Sequence, residues 1–172
     1  MRKKNREQAK IRIIRGVAAV MLCVLFLSGC TARELEDRAF PQAMELELSG
    51  QELIGGFGGG LVRGNNVEEL KKEAQKNMDK YLDLGHIKVI VMGERLLADR
   101  KRAETVMREL EQMPSISGNC LVFAHFYEDE ESYLKKLEET GKNPGEYLSD
   151  LEKNNPYQKS SSTKTLAELL GS

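Results

Sequence analysis

His86-Ile87-Lys88-Val89-Ile90-Val91-Met92-Gly93 is the stretch on which the fold turns. Val89 through Met92 are apolar without a break, and Val89, Ile90 and Val91 are β-branched. Strict alternation would mark a strand with one wet face; an unbroken run marks a strand covered on both. Downstream, Leu96, Leu97, Ala103, Val106, Met107, Leu110 and Met113 recur at helical spacing until Pro114 halts them. A second apolar run, residues 118–126 with Cys120, Leu121, Val122, Phe123 and Ala124, then reads as another buried strand. Strand, helix, strand in that order is a βαβ unit, which requires parallel strands and a right-handed crossover. Val89, Val91, Val122 and Ala124 are therefore expected in the core, with Leu110 packed over them.

Working upstream, Asn65 and Asn66 cap a helix with Glu68 and Glu69 in its first turn. Val67, Leu70, Ala74, Met78, Tyr81 and Leu82 form its apolar face, Lys71, Lys72, Lys76 and Lys80 lie off that face, and Gly85 ends it. Residues 40–48 alternate, with Met44, Leu46 and Leu48 on one side and Ala43, Glu45 and Glu47 on the other, the pattern of a half-exposed strand. Ser49-Gly50 suits a hairpin turn and residues 52–57 a return strand. The glycine-rich run 55–60 lacks the Gly-Lys-Ser/Thr ending of a phosphate loop, and reads as a flexible loop or frayed strand end.

Downstream, Tyr133, Leu134 and Leu137 mark a third helix, and residues 144–151 a short fourth. Residues 154–163 are polar, with Pro156 and three consecutive serines, and read as a linker. Thr165-Leu166-Ala167-Glu168 has capping-box spacing. The short helix it starts, residues 165–170, would be marginal alone, so Leu166, Leu169 and Leu170 are expected to dock on the sheet or a neighbouring helix. The expected architecture is α/β (α+β): a mixed sheet of about four strands containing the βαβ unit, with helices packed on the sheet.

The N-terminus has a separate logic. Arg2, Lys3, Lys4, Arg6, Lys10, Arg12 and Arg15 precede an apolar run at residues 16–27, too short for the ~20 residues of a spanning helix. Leu27-Ser28-Gly29-Cys30 closes that run with small residues before a cysteine. This is the order of a secretory signal in its lipoprotein form. Cleavage is expected between Gly29 and Cys30, with the Cys30 thiol carrying a diacylglycerol and the mature protein a palmitate-type anchor. The domain plan is a signal peptide at 1–29, the lipidated Cys30 and stalk at 30–38, and one domain at 39–172. Processing leaves 143 residues, enough for a real core.

Removing the leader takes seven basic residues and one acidic, leaving 19 basic against 26 acidic, a net charge of −7. So acidic a domain is unsuited to nucleic acid or to broad adhesion on anionic lipid, and its membrane contact is expected from the lipid alone. With Cys23 lost and Cys30 acylated, Cys120 is the remaining thiol, in an apolar run where it reads as a small core residue. His86 and His125 fall near opposite ends of neighbouring strands with no ligand beside them at metal spacing. Glu128, Asp129, Glu130 and Glu131 could favour a cation but are better placed as acids at a helix N-terminus. Neither a Gly-x-Ser-x-Gly elbow nor a His-Glu-x-x-His helix occurs. The residues argue for no catalytic, metal or cofactor site and against an enzyme.

Taken together, the lipobox with Arg33-Glu34-Leu35-Glu36-Asp37 after it, the strand from Gly85 to Glu94, and Ser117-Gly118-Asn119-Cys120-Leu121-Val122 resemble one family. It is the C-subunit lipoprotein of bacterial spore germinant receptors, GerAC or Ger(x)C. The resemblance runs roughly from Cys30 to Leu170 and corresponds to the family's N-terminal domain, which in the family is followed by two more. Thr31 stands where the family usually has Trp, Met113-Pro114-Ser115-Ile116-Ser117 replaces its link between helix and strand, and the glycine-rich run replaces its second strand. The resemblance implies a non-enzymatic, lipid-anchored subunit on the outer face of the spore inner membrane. It would work beside integral membrane subunits in nutrient-triggered germination. An envelope lipoprotein scaffolding another membrane complex is the alternative.

Overall fold

In a computed structural model, the structure describes residues 35–58, 60–125, 132–154 and 163–171. Contacts divide the chain into two units, Met1–Glu36 and Asp37–Ser172. The first contributes Leu35 and Glu36 to a 3₁₀ turn, Leu35–Asp37; the second holds the fold.

Its centre is three parallel strands: β2 (Ala43–Ser49), β6 (Val89–Gly93) and β7 (Leu121–His125). Val89 lies opposite Leu121 and Val91 opposite Phe123, so the strand–helix–strand unit has the parallel pairing expected of it. β3 (Glu52–Gly56) and β4 (Leu61–Gly64) extend the sheet on one side as antiparallel strands, and β8 (Lys164–Thr165) on the other, giving the order β4-β3-β2-β6-β7-β8. β1 (Arg38–Ala39) and β5 (Tyr81–Leu82) form a separate parallel pair. The described helices are α1 (Val67–Lys76), α2 (Glu94–Ala98), α3 (Arg100–Gln112), α4 (Tyr133–Glu139), α5 (Pro144–Asn154) and α6 (Leu166–Leu170). The class is the expected mixed α/β, with a sheet of six strands rather than about four.

Alternation along the central strands sends two sets of side chains to two cores. Met44, Leu46, Ile90, Met92 and Val122 meet Leu70 of α1, Val106 and Leu110 of α3, and Leu166 of α6. On the other face, Ala43, Val89 and Val91 meet Leu134 of α4 and Leu148 of α5. Leu110 thus covers Val122 but not Val89 or Val91, and Ala124 is exposed, contrary to expectation.

Other expectations give way for identifiable reasons. β2 is not half-exposed: every residue from Ala43 to Leu48 is buried, because α4 and α5 cover the face that carries its glutamates. Gly55 and Gly56 are not loop but part of β3, and Leu61–Gly64 returns as β4. The first long helix stops at Lys76. The Asn77 N–H bonds Ala74 O (3.1 Å), and the Gln75 side chain then accepts from Leu82 N (2.8 Å) and donates to Lys80 O (2.9 Å). That swings Tyr81 and Leu82 into β5 against Arg38 and Ala39, so Arg38, the last residue of the expected stalk, is paired in β1. Leu82 is still fully buried, which is why helical periodicity included it. The crossover helix breaks at Asp99, whose side chain accepts from Arg102 N (3.0 Å) and caps α3.

Candidate functional site

Gly29 and Cys30, the expected cleavage and lipidation residues, lie outside the described residues, as do the acidic run at 128–131 and most of the linker at 154–163. Among the described residues, the polar groups with unusual surroundings are two glutamates of β2.

Glu45 is 1% exposed. One carboxylate oxygen accepts from the Ser132 hydroxyl, and the other from the Tyr133 N–H (2.9 Å) and the Leu134 N–H (3.4 Å). The carboxylate therefore closes the N-terminus of α4, where free N–H groups and the helix dipole favour negative charge. Ser132 Oγ also accepts from Lys135 N (3.0 Å) as the helix cap. A buried hydroxyl committed as a cap and to a carboxylate is a structural group and not an exposed nucleophile. Glu47, 7% exposed, accepts from Leu48 N (2.7 Å) and from Leu96 N in α2 (2.9 Å) through Oε1. Its Oε2 is buried without a hydrogen-bond partner among the described residues. In α3, Glu109 accepts from Val67 N (3.0 Å) at the start of α1. Three glutamates thus reach from one element to the first turn of another, which docks the helices more than it builds a reaction centre.

Each histidine rests on an aromatic ring at opposite ends of the sheet. His86 makes an edge contact with Phe40 (4.7 Å between centroids), and His125 stacks on Tyr133 (3.9 Å). Burial pushes the His125 imidazole below its ordinary value, Lys136 adds to that, and Glu47 draws it the other way. Among the described residues no three His, Cys, Asp or Glu side chains come together as a metal site. Cys120 is buried as expected; its thiol donates to Ile87 O (3.0 Å), and burial raises its pKa away from the reactive thiolate range.

Two adjoining cavities, each about 250 Å³, share Phe57 and Met78 as walls. One runs under the β1–β2 connection to α4 and α5, with Gln42, Glu138 and Asn143 as polar lining; the other lies between β4 and the end of α1. Gln42 Oε1 is buried there without a partner among the described residues. The close packing of this corner depends on Gly145, because a Cβ at that position would come 2.6 Å from Gln42 O. Each cavity is smaller than most small-molecule sites. Sequence reading missed the buried glutamates and this corner; the pairing of Glu45 with a glycine in β3 was the available signal, and it needed the register.

With this geometry in hand, a family model for the spore germination protein N-terminal domain matches residues 31–172. The chain belongs to that family. No curated protein and no solved structure matched it. Membership gives this spore germination domain a role connected with germination, in a family not known for enzymes. The spore germination domain spans both cores and all eight described strands, so the helix-docking glutamates, the two cavities and the βαβ unit all lie inside it.

Proposed function

We propose that this chain is a lipid-anchored, non-enzymatic subunit of a spore germinant receptor. The anchor is Cys30, exposed when signal peptidase cuts after Gly29; residues 1–29 are the leader, 30–38 the lipidated cysteine and its stalk, and 39–172 the folded domain. The subunit stands on the outer face of the spore inner membrane and works beside integral membrane subunits during nutrient-triggered germination. One observation carries this reading: the family match begins at residue 31, directly after the Leu27-Ser28-Gly29-Cys30 box. The polar interior supports it, since the buried carboxylates dock helices and the thiol is held neutral.

Mass spectrometry of membrane-extracted protein tests the anchor. A mature N-terminus at Cys30 bearing diacylglycerol is expected, and Cys30→Ser should abolish that species and release the domain from membranes. Deleting the gene should slow germination in nutrients while leaving spores able to germinate by non-nutrient triggers. Normal nutrient germination in the deletion strain, with the protein copurifying with some other membrane complex, would favour a scaffolding lipoprotein instead.

A further inference from the structure

We propose that the cavity beneath the β1–β2 connection is a binding site for a small organic ammonium ion, a primary amine on a compact apolar body. Separate stretches of chain wall it: Phe40 and Gln42 before β2, Phe57 and Gly58 after β3, and Leu134 and Glu138 on α4. Met78, just past α1, closes one side. Two acceptors in this lining lack a donor. Gln42 Oε1 is buried without a hydrogen-bond partner, and the Glu138 carboxylate makes no ion pair or hydrogen bond among the described residues. The Gln42 main chain is fixed, because its carbonyl accepts from Lys88 N (2.8 Å) and Val89 N (3.3 Å) and α5 closes against it at Gly145. The last torsion of a glutamine is soft, however, and turning it presents Oε1 to the cavity. Glu138 leans toward the β3–β4 loop, where a Cβ on Gly58 would come 3.1 Å from its Oε1. The Asn143 side-chain oxygen is already committed, since it accepts from Glu146 N (3.1 Å) in the first turn of α5.

The chemistry of the lining selects the ligand. A buried acceptor without a donor has given up water and gained nothing, and a ligand N–H restores that bond. An ammonium brings three N–H donors and a positive charge, which serves the Gln42 oxygen and the Glu138 carboxylate together. Among the described residues no lysine, arginine or histidine lines the cavity, so an anion, or the carboxylate of a zwitterion, finds no counter-charge there. Lys142, beside Asn143 in the chain, lies over the Tyr147 ring at 3.9 Å. A bare Ca²⁺ or Mg²⁺ ion is also unsuited, because it takes about six or more oxygens and two are on offer. The remaining walls, Phe40, Phe57, Met78 and Leu134, suit an apolar body. Its volume is about 250 Å³. At ~30 Å³ for each water-sized group, that holds roughly five to eight non-hydrogen atoms. A ligand seated there ties α4 to the β3–β4 loop and to the entry of β2. The site is independent of lipid on Cys30 and goes beyond the subunit assignment.

The test is a titration of the full chain, purified from membranes in detergent and labelled at its methionine methyl groups, followed by NMR. Isobutylammonium is the probe and isobutanol its neutral isostere. Met78 stands in the cavity wall, while Met107 on α3 is the control outside it. Isobutylammonium should move the Met78 signal saturably, with a Kd of about 1–10 mM, within the ceiling for so few atoms. Isobutanol should bind at least about fivefold more weakly, lacking the charge that Glu138 attracts. Glu138→Gln should weaken isobutylammonium about two- to fivefold, as expected for an exposed carboxylate, and leave isobutanol unchanged. Gln42→Met, which keeps the bulk and removes the acceptor, should weaken it about fivefold. Glu138 is exposed and unpartnered, so its substitution leaves the fold intact and keeps the test decisive even if Gln42→Met does not fold. The proposal is overturned by any of three results: no saturable movement of Met78 up to about 50 mM, well above the expected Kd; equal binding of amine and alcohol; or unchanged amine binding in Glu138→Gln. Movement of Met107 in step with Met78 also overturns it, since the amine is then not held at this cavity.

Discussion

Glu45 and Gly56 are register partners across β2 and β3, and each depends on the other. A Cβ at Gly56 would lie 2.5 Å from Glu45 Oε1, whose carboxylate is pinned by Ser132, Tyr133 and Leu134 and cannot step aside. Gly56→Ala should therefore cost about 1–3 kcal/mol by uncoupling the carboxylate from α4. Glu45→Gln, which replaces one carboxylate oxygen acceptor with an amide donor facing the helix N–H groups, should cost a similar ~1–3 kcal/mol. Urea melts of both variants measure this, and their double mutant should cost less than the sum, because the same contact is lost twice. His125 supplies a pH dependence. Its pKa is lowered in the fold, so the unfolded chain binds the proton more readily. Its neutral form contributes stability above the unfolded value near ~6.5, and that contribution is lost as pH falls through the lower folded value. His125→Gln should flatten the part of the acid limb just below neutrality, read from melts at pH 7 and 5.5 against the parent protein. None of these partnerships is visible along the chain. Glu45 alternates with leucines as any solvent-facing residue would, and only α4 arriving from nearly ninety positions away makes it an interior group.

The last element shows how far local signals carry. Thr165 accepts from Glu168 N, Glu168 returns the contact to Thr165 N at 2.8 Å, and Gly171 closes the helix at φ +73, so the capping box read from sequence is the one observed. Docking is also as expected for Leu166, fully buried, and in part for Leu170, but Leu169 is 40% exposed. The sequence held no sign of β8, which pairs Thr165 with Leu121 and continues as Leu166 N to Cys120 O (2.9 Å) and Ala167 N to Gly118 O (3.0 Å). Those bonds predict slow hydrogen exchange at the Leu166 and Ala167 amides. Thr165→Ala should remove about 1 kcal/mol of helix stability and speed exchange at Glu168 and beyond, while Leu166→Ala should cost about 2–5 kcal/mol globally. Random-coil exchange at Leu166 would mean that α6 does not dock in solution. α1 makes the complementary point: its cap at Asn66 was legible, accepting from Glu69 N at 2.8 Å, but its end was not. Met78 and Leu82 continue the helical spacing while the chain has already turned away, because a long-range partner at Arg38–Ala39 competes for the backbone.

At the scale of the whole molecule, the parallel pair β6–β7 carries the fold, and Val91 lies at its centre, fully buried. Val91→Asp should cost about 3–5 kcal/mol, a large share of a typical domain's stability, and leave little folded protein by circular dichroism. A folded Val91→Asp variant would contradict the placement of Val91 in the core beneath α4 and α5. The chain by itself determined the fold class, the βαβ unit, two helix caps and the family resemblance that the match over residues 31–172 then bore out. These rest on short-range periodicity, on cap chemistry within four residues, and on an apolar run too long to face water. Tertiary structure alone decided the strand order, the width of the sheet, the end of α1 and the burial of Glu45 and Glu47. Each of those depends on which distant segment covers a face or offers a backbone partner, and a carboxylate can be buried where a helix N-terminus supplies N–H donors in place of water.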